Sequence, residues 1–254
     1  MYPFANNQVS SGTIQKVSDC RARHLRFCDI IHKMCLLWRC HHSEIELCLS
    51  SQNNINNLSS NRNMYNHMII EKGTFENKNF SNHPLASKEY INCMFNNIIF
   101  SGANLTNCIF VDCTFNMCNF SNTDIDHCGF QEVSFIGCKL LSLSFYKVRP
   151  FLFSVNFNDC MIMNCDFHGF KMPKTEFLRC RIIENYFTNT NFSSSKFSES
   201  DLNKTIFKNS NLSKVDFRNA INYSIDPRMN HIEGAIFSNP DVIGLLDYFD
   251  IKIE

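Results

Sequence analysis

The 254-residue chain has little glycine (8), little proline (6) and one tryptophan, and its charges cancel at 24 Lys and Arg against 24 Asp and Glu. Zero net charge excludes a strongly basic nucleic-acid binder and, taken over the whole chain, a strongly acidic polyanion. Apolar runs long enough for a transmembrane helix are absent, so no membrane partner is expected. The N-terminus has no uninterrupted apolar stretch, so no signal peptide is expected either. There is no GxSxG, P-loop, GxGxxG or HExxH, which leaves no catalytic constellation and no cofactor to expect. CxxC is missing as well. In residues 1–67, His24, Cys28 and His32 are followed by Cys35, Cys40, His41, His42 and Cys48. A zinc site needs four convergent N or S ligands, and this spacing matches no known one, so no metal is expected.

What the chain has is phenylalanine, 25 of them, and a period of five. From Phe75, every fifth residue through Phe145 is large and apolar. The register then slips by two, and the series resumes from Leu152 to Phe217. Neither a helix, with period 3.6, nor a strand, with period 2, produces this. Two residues before each large position sits a mostly small one, such as Cys93, Ala103, Cys108 and Cys113. The other three positions of each five are mostly polar. Each unit therefore buries one large and one small side chain and exposes three. Nine of the 14 cysteines occupy the small inward position. They read as reduced core residues, and with no export signal the expected location is the cytoplasm.

The segment YKVRPF at 146–151 carries the slip, and Pro150 falls where a small inward residue is due. After Phe217 the pattern fades, with a weak return at Ile232 and at Ala235–Phe237. In the tail, Asn239 is a good N-cap and Pro240 suits a first helical position. Val242, Leu245, Leu246 and Phe249 then space as one helical face, and Ile251 and Ile253 alternate like a short strand. The tail reads equally as a cap over the open end or as an interface between two copies. Residues 1–67 hold no pentad. Tracts such as SQNNINNLSSNRN read as disorder, and MIIEKGTF at Met68 looks like a natural start, so the preceding residues are expected to be disordered or an over-extended beginning.

Units such as ANLTN, CTFNM, CNFSN, TEFLR and SNLSK give the chain its resemblance to the pentapeptide repeat family, over about residues 68–237. The resemblance implies an all-β fold, a right-handed quadrilateral β-helix with four pentapeptides per 20-residue coil. The 29 units would make a little over seven coils, roughly 35 Å of rod at ~4.8 Å per coil. Phe75, Phe95, Phe115 and Phe135 should then stack on one face, and Phe157, Phe177, Phe197 and Phe217 on another. The C-terminal segment, INYSIDPRMN through DIKIE, resembles the end of the DNA-mimicking branch of that family, the Qnr, MfpA and McbG type. That likeness implies a short capping helix and a final strand over 238–254. It also implies a homodimer joined there through Val242, Leu245, Leu246, Phe249, Ile251 and Ile253.

Charge bears on whether the branch's function carries over. From residue 71 onward there are 20 acidic and 17 basic residues, a net of −3, which departs from the branch's strongly acidic surface. The acids are nonetheless concentrated, since Glu89, Asp112, Asp124, Asp126 and Glu132 lie in 89–138, a stretch without Lys or Arg. Asp112 and Glu132, 20 apart, should stack as like charges, a costly arrangement that a functional surface field would explain. In the second half, Asp159, Arg179 and Glu199 alternate in sign down one row, as do Glu176, Lys196 and Asp216. The resemblance implies a type II topoisomerase, gyrase or topoisomerase IV, as the partner of the acidic face. It implies no direct nucleic-acid binding and a role in quinolone resistance or toxin immunity. The alternative is a non-catalytic scaffold for protein–protein interaction without DNA mimicry.

Overall fold

The computed structural model describes residues 68–249, together with Ile251 and Lys252. Expectations for residues 1–67 and for Ile253 fall outside the described residues. The described chain is a parallel β-solenoid of about 8 turns, a right-handed quadrilateral β-helix in which each pentapeptide makes one side. Short strands pair in parallel with the turn before and the turn after. Phe75 pairs with Phe95, Phe95 with Phe115 and Phe115 with Phe135.

The five-residue rule follows from how the chain turns its corners. A side is only about three residues long, and the residue two after each large one takes a left-handed φ. Lys72 (53°), Asn92 (53°), Asp112 (53°), Glu132 (51°) and Lys174 (63°) are examples. Left-handed backbone costs ordinary L-residues about 1–2 kcal/mol, and asparagine tolerates it best. Asn77, Asn82, Asn97, Asn107 and Asn122 hold such corners. Glycine takes the corner at Gly137, where a Cβ would stand 2.5 Å from the Met117 sulfur one turn earlier.

With corners fixed, the large side chains have only the interior. Phe75, Phe95, Phe115, Phe135, Phe157, Phe177, Phe197, Phe217 and Phe237 stack in one continuous column, with adjacent ring centroids 4.7 Å (Phe95–Phe115) to 5.3 Å (Phe135–Phe157) apart. This corrects the expectation of two columns on different faces. The two inserted residues bulge out at one side, so Phe157 returns in register beneath Phe135. The Phe145 and Phe167 rings likewise stack at 4.3 Å across the insertion.

The small inward column changes chemistry along the axis. In the first half its thiols donate to carbonyls one turn back: Cys118 to Phe95 at 3.3 Å, Cys128 to Leu105 at 3.0 Å and Cys138 to Phe115 at 3.3 Å. All nine solenoid cysteines are free and buried. Burial pushes the Cys113 and Cys165 thiols up to about 12, so they stay protonated. In the second half hydroxyls and amides take over. Ser200 Oγ accepts from the Cys180 N–H at 3.0 Å and donates to the Phe177 carbonyl at 3.0 Å. Asn185 bridges the Cys165 N–H and the Ile162 carbonyl in the same way, at 2.9 and 2.8 Å. Buried polar groups are tolerated when paired like this.

The slip itself is rearranged relative to the sequence reading. Pro150 is exposed, and Val148 fills the small inward position. Leu152 is also exposed, with φ of 56°, and Phe153 supplies the large group, packing edge-on to Phe170 at 4.7 Å. Phe151 projects into solvent. A second irregularity lies near the end. Phe207 pairs with Ile225, short of the usual step, and Asn230 then restores the register by accepting from the Ser210 N–H.

The tail forms two short 3-10 helices, Asp241–Leu245 and Asp247–Phe249. Pro240, not Asn239, is the N-cap residue, and no side chain caps the start. At three residues per turn the expected single apolar face divides. Leu245 packs against the core, whereas Val242, Leu246 and Phe249 are exposed. Ile251 is exposed and lies in no strand. Gly244 lets the first helix close on the solenoid, because a Cβ there would meet the Tyr223 carbonyl at 2.7 Å. Arg228 fastens the second: it pairs with Asp226 at 2.8 Å, lies 5.0 Å over the Phe249 ring and donates to the Tyr248 carbonyl at 3.3 Å.

Candidate functional site

A solenoid filled with aromatic rings leaves no interior cleft. A surface depression of about 250 Å³ is lined by Asn122, Asp124, Asp126, Ser142, Ser144 and Lys147 among others. The chemistry available is therefore that of the outer surface, where side chains are set out by turn and side.

The five candidate acids do not form one cluster. Asp112 and Glu132 occupy successive corners after the Tyr90 side, both exposed, stacked as expected. Glu89 lies within that side's sheet, paired in register with Ile69 and Ile109. Asp124 and Asp126 belong to the preceding side, around Ile125. The Asp124 carboxylate accepts from the Asp126 N–H at 3.0 Å, a local turn bond. Asp126 pairs with Lys147 at 3.0 Å. Sequence spacing missed that pair, because Lys147 lies just inside the inserted segment, beyond the acid-only stretch. Four of the five acids thus take part in no ion pair among the described residues, and one is compensated.

The second half is different in kind. Asp159 pairs with Arg179 at 2.8 Å, Glu176 with Lys196 at 2.6 Å and Glu184 with Lys204 at 3.2 Å, as the ladder spacing implies. The Arg179 guanidinium holds the Asp159 carboxyl below its ordinary value. Arg181 and Asp201 are neighbours by backbone pairing, but Asp201 accepts instead from Asn222 at 2.8 Å. Asp216 and Asp226 pair with Arg218 and Arg228 two residues on. Exposed pairs of this sort contribute roughly 0–1 kcal/mol each. They make this half a neutralised surface, not a polyanion.

A parallel solenoid whose every side is one pentapeptide defines the class. Family models for pentapeptide repeats match residues 91–141 and 186–221, so these stretches of the chain are pentapeptide repeats. No curated protein matches its sequence. Among solved structures, a trypsin-treated form of QnrB1, a plasmid-mediated fluoroquinolone resistance protein, aligns at 21% identity with a TM-score of 0.56, covering 75% of this chain and 93% of that one. HetL, a pentapeptide repeat protein involved in heterocyst differentiation regulation from the cyanobacterium Nostoc sp. strain PCC 7120, aligns at 14% identity with a TM-score of 0.53, covering 73% and 90%. At these identities the likeness is one of fold. Among the described residues, no helix is long and apolar enough to cross a membrane.

Proposed function

We propose that the protein is a non-catalytic interaction rod acting in the cytoplasm, and that its acidic turns bind a type II topoisomerase, gyrase or topoisomerase IV. Binding would protect that enzyme from a quinolone or a gyrase-directed toxin. The observation that carries this reading is the acid-only run of 89–138, in which Glu89, Asp112, Asp124 and Glu132 are spread over three successive turns of a rigid scaffold without an ion-pair partner among the described residues. Magnitude limits the mimicry to a patch. Duplex DNA carries about one charge per 1.7 Å of axis, or some twenty over a rod of about 35 Å, and the chain from residue 71 onward has a net of only −3. A homodimer joined through the exposed apolar cap residues Val242, Leu246 and Phe249, with Leu245, Ile251 and Ile253, belongs to the same reading.

A second reading has its own support. The matched ladders of the second half favour a scaffold for another protein, one that needs no polyanion. The fold is shared with HetL as much as with QnrB1. Replacing Asp112, Asp124 and Glu132 by Ala separates the two. The topoisomerase reading requires loss of gyrase binding and a steep fall of wild-type binding with salt. Wild-type protein that leaves gyrase untouched contradicts it and favours the scaffold.

A further inference from the structure

Charges on the Phe75 and Phe80 sides are matched between adjacent turns; on the Tyr90 side they are sorted by sign along the axis. The corner row of that side runs Asn92, Asp112, Glu132, then, past the insertion, Lys174, Ser194, Lys214, all with left-handed backbone. The four charged members are exposed, and none has an ion-pair partner among the described residues. Glu89 in the acidic half and Lys171 in the basic half extend the sorting. The exceptions are Lys72 on the first turn, Lys88 beside Glu89 on the second, Glu233 at the end, and Arg149 in the insertion, whose guanidinium donates to the Asn107 amide oxygen at 3.4 Å.

The insertion stands at the midpoint of this side. Strand residues 69, 89, 109 and 129 precede it in register, and 171, 191, 211 and 231 follow. Arg149 and Ser154 hold the inserted chain to it through backbone bonds to Cys128 and Phe130. At that midpoint Phe151 is 62% exposed and Leu152 39%. One side of the rod therefore presents a mainly acidic half, a centre with Phe151 and Leu152 exposed beside Arg149, and a mainly basic half.

Such a pattern is complementary to itself. A two-fold axis perpendicular to the solenoid axis, passing through the insertion, sets the acidic half of one copy against the basic half of another and centre against centre. We infer that the Tyr90 side pairs two copies of this chain side by side and antiparallel. In that arrangement the corner rows coincide. Glu132, one turn before the centre, faces Lys174 of the second copy, one turn after it. Asp112 lies between Lys174 and Lys214 of the second copy. The apolar contact at the centre is small and the flanking charges are exposed, so the association is weak and sensitive to salt. This inference does not depend on the topoisomerase reading. It also explains why Asp112 and Glu132 are stacked as like charges: each has its counterion on another molecule.

Charge exchange tests it on the full chain, by sedimentation velocity at low and high salt, with circular dichroism to verify folding. Wild-type protein dimerises at low salt. E132K and K174E each weaken self-association about tenfold or more, since both symmetry-related contacts turn repulsive. An equimolar mixture of the two single variants associates again, because the lysine introduced in one faces the glutamate introduced in the other, and so does the double variant E132K/K174E. Wild-type protein that stays monomeric, or single variants that dimerise unchanged, overturns the inference. A dimer abolished by L246D or F249D but indifferent to E132K and K174E is the cap contact, which overturns the side contact and leaves the cap reading standing.

Discussion

Phe115 shows what one residue contributes here. It is fully buried and stacks on Phe95 at 4.7 Å and on Phe135 at 5.1 Å, with Phe100, Phe110 and Phe120 set edge-on around it. Phe115→Ala is expected to cost about 3–5 kcal/mol in chemical denaturation, because rings held by their own backbone registers cannot collapse into the space. Met117, two residues on, shows the reverse. It is 63% exposed at a corner with φ of 54°. Met117→Asn is expected to raise stability by up to about 1 kcal/mol in the same assay, by easing a left-handed backbone. The inward role of Phe115 was legible in the sequence, since a period of five with a large residue at each step has no other economical explanation. The strained corners were not, because Lys72, Glu132 and Met117 are residue types that carry no strong turn signal. The pairing of Lys147 with Asp126 was hidden for a related reason: it crosses into the insertion, where the regular spacing between turns no longer applies.

Among the elements, the cap is the one most open to test. Its two short helices pack only Leu245 against the core, so their hold depends on Arg228 and on the close approach at Gly244. Arg228→Ala is expected to release 241–249 while the solenoid stays folded, seen as hydrogen exchange rising in those amides alone. The pairing with Arg228 holds the Asp226 carboxyl below its ordinary 3.8. Its contribution is therefore complete above pH 3.8 and lost as pH falls through the depressed value. Acid is expected to loosen the same amides in the wild type, and an Arg228→Ala cap is expected to show no further change there. A short helix was foreseen from Asn239 and Pro240, but its 3-10 character was not. Apolar residues at 242, 245, 246 and 249 suit an α-helical stripe, and only the backbone bonds to the third residue back, Ile243 to Pro240 at 3.1 Å and Leu246 to Ile243 at 2.8 Å, show that the winding is tighter. The slip of two residues at 146–151 was legible in the sequence, but not how the chain would cross it. Which of Phe151, Leu152 and Phe153 turns inward depends on packing against Phe130 and Phe170, which spacing alone does not specify.

At the scale of the whole molecule, the aromatic column is continuous from Phe75 to Phe237, and the surface around it is not uniform. Acidic turns, matched ladders and one side sorted by sign share a single rigid core. The partner is therefore read from the pattern of charge and not from the fold, which QnrB1 and HetL share with it. The composition reading, zero net charge over the chain, was correct and yet silent on this point, because the sorting appears only when residues of successive turns are placed side by side. The most direct test of the topoisomerase reading is gyrase supercoiling in the presence of a fluoroquinolone, with the full chain and with its Asp112→Ala, Asp124→Ala, Glu132→Ala triple variant. The expected result is that the wild type restores supercoiling or inhibits it directly, and that the folded triple variant loses the effect. Wild-type protein without effect at high micromolar concentration, or a triple variant as active as the wild type, would contradict it.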